Sequence, residues 1–205
     1  MIFARMRAFR LLAAAMLFAA ALPVAWIPAK AFAASAGDGE AGPAMRGLDP
    51  LFDALKAAPD EASARVIEDR IWRLWMHAPD RRTEDLVRRA MEKRRVYDFA
   101  GAKALLDEAA AGAPAYAEVY NQRGFVLFLQ DDYDAALEDV DRAIALEPRH
   151  FAAMAGRALI LMRQGRHRLA QKQLREAVAI NPFLKERGLI AEDPKRDAPR
   201  PGIDL

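Results

Sequence analysis

The sequence predicts an all-α chain assembled from repeated helical hairpins, and three observations predict it. Pro114, Pro148 and Pro182 stand 34 residues apart, with Pro79 one residue short of the same phase. Small and apolar residues keep that period in four sets: Ala102, Ala136, Ala170; Ala109, Ala143, Ala177; Leu106, Val140, Leu174; and Ala90, Gly124, Ala158. The third observation is compositional. Two serines (Ser35, Ser63), one threonine (Thr83) and four tyrosines in 205 residues are too few for a chain built of strands. A fixed period of this length marks one supersecondary unit used several times, each copy burying its apolar face on the next.

Taken in order, the chain opens with Arg5, Arg7 and Arg10 before the unbroken apolar run Leu11–Leu22. Pro23 and Pro28 interrupt it, and Ala31-Phe32-Ala33 supplies an A-x-A site. Residues 1–33 therefore read as a secretory signal peptide cleaved before Ala34. The expected destination is beyond the inner membrane, in the periplasm, with no membrane insertion after cleavage. The alternative is an inner-membrane anchor that stays uncleaved, since the uncharged stretch Leu11–Ala29 is nearly long enough to span. This segment carries four of the 31 basic residues and no acid, so removing it leaves 27 bases against 29 acids. The basic balance belongs to the leader, and the remainder lacks the positive footprint that nucleic-acid binding requires.

Residues 34–48 are small, polar and rich in Gly and Pro, as a flexible linker is. Residues 49–82 read as an atypical N-terminal hairpin whose Trp72 and Trp75, three apart on one helical face, are core residues. Three regular units follow: 83–116, 117–150 and 151–184. A short capping helix over 185–191 is expected to cover the last unit with Leu184, Leu189 and Ile190. The tail 192–205 has three prolines and no periodicity, and reads as disordered. Asp98 and Asp132 precede second helices and are candidate N-caps.

In these features the chain resembles the tetratricopeptide-repeat (TPR) family, bacterial exported type. The likeness is best in Ala117–His150. There Tyr120 fills the first-helix aromatic position and Gly124 the small-residue position. Tyr133, Ala136 and Ala143 mark the second helix, and Pro148 ends it. Phe151–Leu184 matches with Met154 and Leu161 in place of the usual aromatics. Thr83–Tyr116 departs further, with Tyr97 in the turn where glycine is usual and Lys93 at an expected apolar position. The resemblance implies a solenoid of stacked hairpins, a non-enzymatic protein–protein scaffold, and a concave groove lined by the first helices.

By that register the groove would present Met91, Phe125 and Leu159 at one repeat position and Phe128 and Met162 one turn further along. Asn121 and Gln122 are the polar groups beside this row. The apolar row suggests a ligand surface for a protein or peptide partner. The alternative is that the N-terminal unit or the proline-rich tail covers the row. A clamp of Lys, Arg and Asn for a C-terminal carboxylate is missing, because the matching positions hold Val87, Met91, Gln122, Ala152 and Gly156. The runner-up function is a structural subunit of a larger envelope complex or a self-associating assembly.

No catalytic or cofactor chemistry is expected. The chain has no cysteine, hence no disulfide, thiolate nucleophile or thiolate metal site. Gly37, Gly39 and Gly42 fit G-x-G-x-x-G, but no strand precedes them and Pro43 follows, so the dinucleotide context is missing. Asp131, Asp132 and Asp134 lack the glycine and terminal glutamate of a calcium loop. His77, His150 and His167 read as surface or capping residues rather than ligands. Charge alternates between units. Ala117–His150 has eight acids and three arginines, while Phe151–Leu184 has six bases and one acid. Solvated helix surface accounts for this; steering of stacking or of partner choice is the other reading.

Overall fold

The structure is a computed structural model that describes residues 47–191. The leader over 1–33, most of the linker over 34–48 and the tail over 192–205 lie outside the described residues. Among the described residues eight α-helices run in sequence: α1 Leu48–Lys56, α2 Glu61–Trp75, α3 Arg81–Arg95, α4 Phe99–Gly112, α5 Ala117–Leu129, α6 Tyr133–Leu146, α7 Phe151–Arg163 and α8 His167–Ile180. A 3-10 turn, Lys185–Leu189, follows. Among the described residues there is no strand, and no helix is long and apolar enough to cross a membrane.

Side-chain oxygens start four of these eight helices by accepting from the free N–H groups of the first turn. Asp60 accepts from Ser63 N at 2.8 Å, Asp80 from Thr83 N at 2.9 Å and Asp98 from Gly101 N at 2.9 Å. Asp132 accepts more weakly from Ala135 N at 3.4 Å. The periodic prolines stand just past helix ends. Pro79, Pro114, Pro148 and Pro182 follow α2, α4, α6 and α8, where a residue without an N–H cannot continue the helix.

Within each regular hairpin the helices approach closely through small residues. Ala102, Ala109, Ala136, Ala143, Ala170 and Ala177 are all fully buried. Gly124 of α5 shows the tolerance: a Cβ there would lie 2.9 Å from Val140 Cγ1 and 3.2 Å from the Ala136 carbonyl oxygen of α6. The turn inside each hairpin also repeats. Tyr97, Asp131 and Gly165, 34 residues apart, sit at φ 62°, 60° and 74°. Only the third is the residue that occupies this region without strain.

The first helices α3, α5 and α7 lie side by side as an inner row. The opposite charges of neighbouring units meet there and behind it. Arg157 of α7 donates to Asp141 at 2.5 Å, and Gln164 donates to Asp134 at 2.8 Å. Arg123 of α5 makes a two-pronged bond to Asp139, both at 2.7 Å, and reaches Asp107 of α4 at 3.0 Å. These carboxylates raise the Arg123 pKa above its ordinary value.

The N-terminal hairpin is where the structure departs from the expected stack. Leu48, placed in the linker by composition, opens α1 and is buried. The α1–α2 pair does not continue the solenoid by packing on α3. Leu48, Phe52, Leu55, Ala64, Ile71 and Trp75 join one core cluster with Phe151, Ala155, Ala158, Leu174, Ala177 and Leu184 of the last repeat. The hairpin thus folds back across the inner row. Ion pairs at its edge span the chain: Asp49 with Arg149 at 2.6 Å and Glu61 with Arg187 at 3.2 Å. Trp72 and Trp75 are core residues as expected, but of an interface with α7 and α8 rather than of a cap. At the other end, Leu184 is buried and Ile190 half-buried against this cluster, while Leu189 is exposed. Leu189 therefore covers nothing, because the short 3-10 turn turns its side chain outward.

Candidate functional site

Between α2 and the inner row lies a cavity of about 360 Å³. Its walls come from Glu68 and Trp72 of α2, from Asn121, Phe125 and Phe128 of α5, and from Ala152, Gly156 and Leu159 of α7. Arg94 of α3 and Lys185 close two sides. Gly156 and the alanines keep the α7 wall low, which leaves the space that the larger α5 side chains look into.

Five of the seven residues read from sequence as a groove surface meet here: Asn121, Gln122, Phe125, Phe128 and Leu159. Phe125 is 45% exposed, with the Arg94 guanidinium 4.8 Å above its ring. Phe128 is half-buried and packs 5.8 Å from Tyr133. Met91 and Met162 do not line the cavity. Met91 packs into the α3–α4 core and Met162 into the cluster formed with the N-terminal hairpin. Both are long enough to turn back over their own helix, which a fixed register position does not reveal.

The polar pair also differs from its expected role. Gln122 is buried and both ends of its amide are engaged: Nε2 donates to Glu118, and Oε1 accepts from Arg94. These bonds and its burial hold the amide within the Glu118–Arg94 network. Asn121 donates to both Glu118 carboxylate oxygens, at 3.1 and 3.2 Å, and retains its carbonyl for other use. Burial lowers the pKa of Arg94 and raises that of Glu68, since each half-buried charge has lost hydration.

Sequence reasoning missed the group that organises this region. Glu118 is fully buried and takes bonds from Asn121, Gln122 and His150 Nε2, the last at 3.0 Å. His150 is a capping residue, as expected, but buried rather than at the surface. Its Nδ1 accepts from Ala153 N at 3.3 Å, and its ring stacks on Trp75 with centroids 4.0 Å apart. With Nδ1 accepting, the proton sits on Nε2, facing the carboxylate. One repeat earlier, at the same position, the Tyr116 hydroxyl donates to the Trp75 carbonyl at 2.8 Å. The 34-residue spacing of Tyr116 and His150 was visible in the sequence; that both would grip one tryptophan was not.

Comparison with known sequences agrees with the repeat reading. Two tetratricopeptide-repeat models match, over residues 117–150 and 152–183. A TPR repeat-containing protein of Rhizobium etli is 33% identical over 141 residues, 66% of either chain. Tetratricopeptide repeat protein 7B of Homo sapiens is 39% identical over 87 residues, covering 42% of this chain and 10% of that one. The chain thus spans about two thirds of the first relative and a small part of the second. Among solved structures, the TPR domain of Sgt2 from Aspergillus fumigatus has 20% identity and a TM-score of 0.48, covering 62% of this chain and 91% of that one.

The fold and its inner row define a helical-repeat scaffold of the kind that engages other proteins. The chain belongs to the tetratricopeptide-repeat family.

Proposed function

We propose that this is a non-enzymatic adaptor of the bacterial cell envelope that holds a segment of a partner protein on its inner face. One observation carries the reading. Phe125, nearly half exposed, stands at the mouth of the cavity beside Phe128 and Leu159, where helix pairing does not use its ring. Apolar area left facing water gains about 25 cal/mol per Å² when a ligand covers it. Asn121, with a free carbonyl, and Arg94, with donors beyond its one bond to Gln122, would orient a backbone laid across these rings.

The envelope assignment rests on the order of basic, apolar and A-x-A segments over residues 1–33. Mass spectrometry of the natively produced protein should find an N-terminus at or near Ala34; an intact leader in the membrane fraction would contradict it. For the surface, the test is Phe125→Ala combined with Phe128→Ala. The variant should keep its helical circular dichroism and its thermal midpoint within a few degrees, yet lose partner capture from the envelope fraction. A folded variant that captures the same partner places the binding surface elsewhere. Co-elution of every copy with one partner, or with itself, on a sizing column would favour the structural-subunit reading instead.

A further inference from the structure

The inner face already carries an occupant, and that occupant is seated as a ligand is seated. Helices within the repeats meet through alanine and glycine. The α1–α2 hairpin brings large side chains to the last repeat: Phe52, Leu55, Ile71 and Trp75 share one cluster with Phe151 and Leu184, beside the alanines of α7 and α8. Trp75 is held between two repeats, stacked on His150 at 4.0 Å and bonded through its carbonyl by Tyr116. Around this core runs a rim of exposed ion pairs, Asp49 with Arg149 and Glu61 with Arg187. An aromatic centre inside a polar rim is the anatomy of an interface between proteins.

The seating is also incomplete. Trp75 Nε1 and Asn181 Nδ2 are buried with no hydrogen-bond partner among the described residues. A cavity of about 360 Å³ remains between α2 and the inner row. Charge favours the pairing all the same. Leu48–Trp75 carries six acids and four bases, and Phe151–Leu184 carries one acid and six bases.

We propose that the α1–α2 hairpin is a displaceable internal ligand, and that the surface under it takes in its place an acidic amphipathic helix of a partner protein bearing two aromatic residues three apart. Its pocket is the one that now holds Trp75, between Tyr116, His150, Phe151 and Leu184, with Arg187 at the rim. The resident hairpin, tethered at an effective concentration on the order of millimolar, masks the intrinsic affinity of that surface. This rests on the reading that the inner face takes a protein segment, and its pocket adjoins the cavity of Phe125 and Phe128, with Phe151 and Leu184 lining both.

The probe is a synthetic peptide of residues 48–75, six acids to four bases, fluorescently labelled and titrated into the full-length chain. In one variant Asp49→Arg and Glu61→Arg together set the resident rim against Arg149 and Arg187, while the peptide keeps its own Glu61. A second variant is Trp75→Ala. The peptide should bind the rim variant at least ten-fold more tightly than the wild type. Native-state hydrogen exchange on the wild type supplies a readout independent of any substitution. Amides of α1 and α2 should exchange through an opening that leaves α5 to α8 protected. Equal affinity for wild type and rim variant overturns the proposal, as does exchange of α1 and α2 only through global unfolding. Exchange of hairpins between copies, seen as a concentration-dependent dimer, overturns it in favour of a second copy as occupant. Partner capture by the wild type, with its hairpin in place, tests the Phe125 and Phe128 reading, and the peptide titration tests this one, so the two failures are told apart.

Discussion

Two glycines on neighbouring inner helices face the same valine, and the fold assigns their alanine variants opposite signs. At Gly124 a Cβ would stand 2.9 Å from Val140 Cγ1 and 3.2 Å from the Ala136 carbonyl oxygen. At Gly156 it would stand 3.8 Å from the same valine methyl, an ordinary contact. Replacing a helical glycine by alanine gains about 1 kcal/mol of helix propensity in either place. At Gly156 nothing opposes that gain, so Gly156→Ala should stabilise by up to about 1 kcal/mol. At Gly124 the clash involves a β-branched side chain with one favoured rotamer and a backbone oxygen fixed in α6, neither of which yields cheaply. Overpacking of this kind costs about 1–3 kcal/mol, so Gly124→Ala should destabilise by about 1 kcal/mol net. For a folded region of this size the thermal midpoint should move by about 3 °C in each direction. Urea titration followed by circular dichroism measures both variants. Equal or greater stability of Gly124→Ala would refute the close approach of α5 to α6 on which the repeat register rests, and a loss at Gly156→Ala would refute the looser fit of α7 against α6.

Other outcomes follow from the same geometry. Ala136→Leu, at a fully buried contact of α5 with α6, should cost about 1–3 kcal/mol in the same titration, and an unchanged midpoint would refute the register. Tyr97 is 81% exposed and held at φ 62°, so Tyr97→Gly should stabilise by roughly 0.5–1 kcal/mol, whereas Gly165→Ala, at φ 74°, should destabilise by a similar amount. Asp60 and Asp80 are held below the ordinary aspartate pKa by the N–H groups they cap. Their folded pKa lies below the unfolded value, so their contribution is complete above about pH 4 and is lost as pH falls through the folded pKa. Asp60→Asn with Asp80→Asn should keep the caps and flatten that acid limb of the stability curve. Glu68 has the opposite sign: burial raises its pKa, which penalises folding above the unfolded value and relents as pH falls through the folded one. Glu68→Gln should therefore raise the denaturation midpoint at pH 7 relative to the wild type, and a lowered midpoint would show that its ionised form is held by the cavity.

The repeats were legible because their packing is local and periodic. Gly124, the alanine sets and the terminal prolines each answer to a neighbour within one 34-residue unit, so spacing alone exposes them. Phe125 and Leu159 were legible for the same reason, as recurring members of the inner row. The site's polar wiring was not. Whether Gln122 faces a ligand or spends its amide on Glu118 and Arg94 depends on rotamers, which no period encodes. The N-terminal hairpin was legible as helices and as a bulky face carrying Trp72 and Trp75. Its seat was not, because the contacts that hold it, Trp75 on His150 and Phe151 at the core and Asp49 with Arg149 and Glu61 with Arg187 at the rim, join distant parts of the chain, 100 and 126 residues apart for the ion pairs, and recur nowhere. An interface made by side-chain tips leaves no periodic trace, whereas one made by small residues in close contact does.

The position of that hairpin is the claim on which the account of the inner face depends, and the cysteine-free chain makes it directly measurable. Glu61→Cys with Arg187→Cys places two spin labels at the ends of an ion pair of 3.2 Å. Pulsed dipolar spectroscopy should return a short separation, about 20 Å or less once the label arms are counted. A hairpin stacked ahead of α3 as an ordinary first repeat would put three hairpin layers between the labels, about 24–30 Å at 8–10 Å per packed layer before the label arms are added. A dominant distance in that longer range would contradict the account.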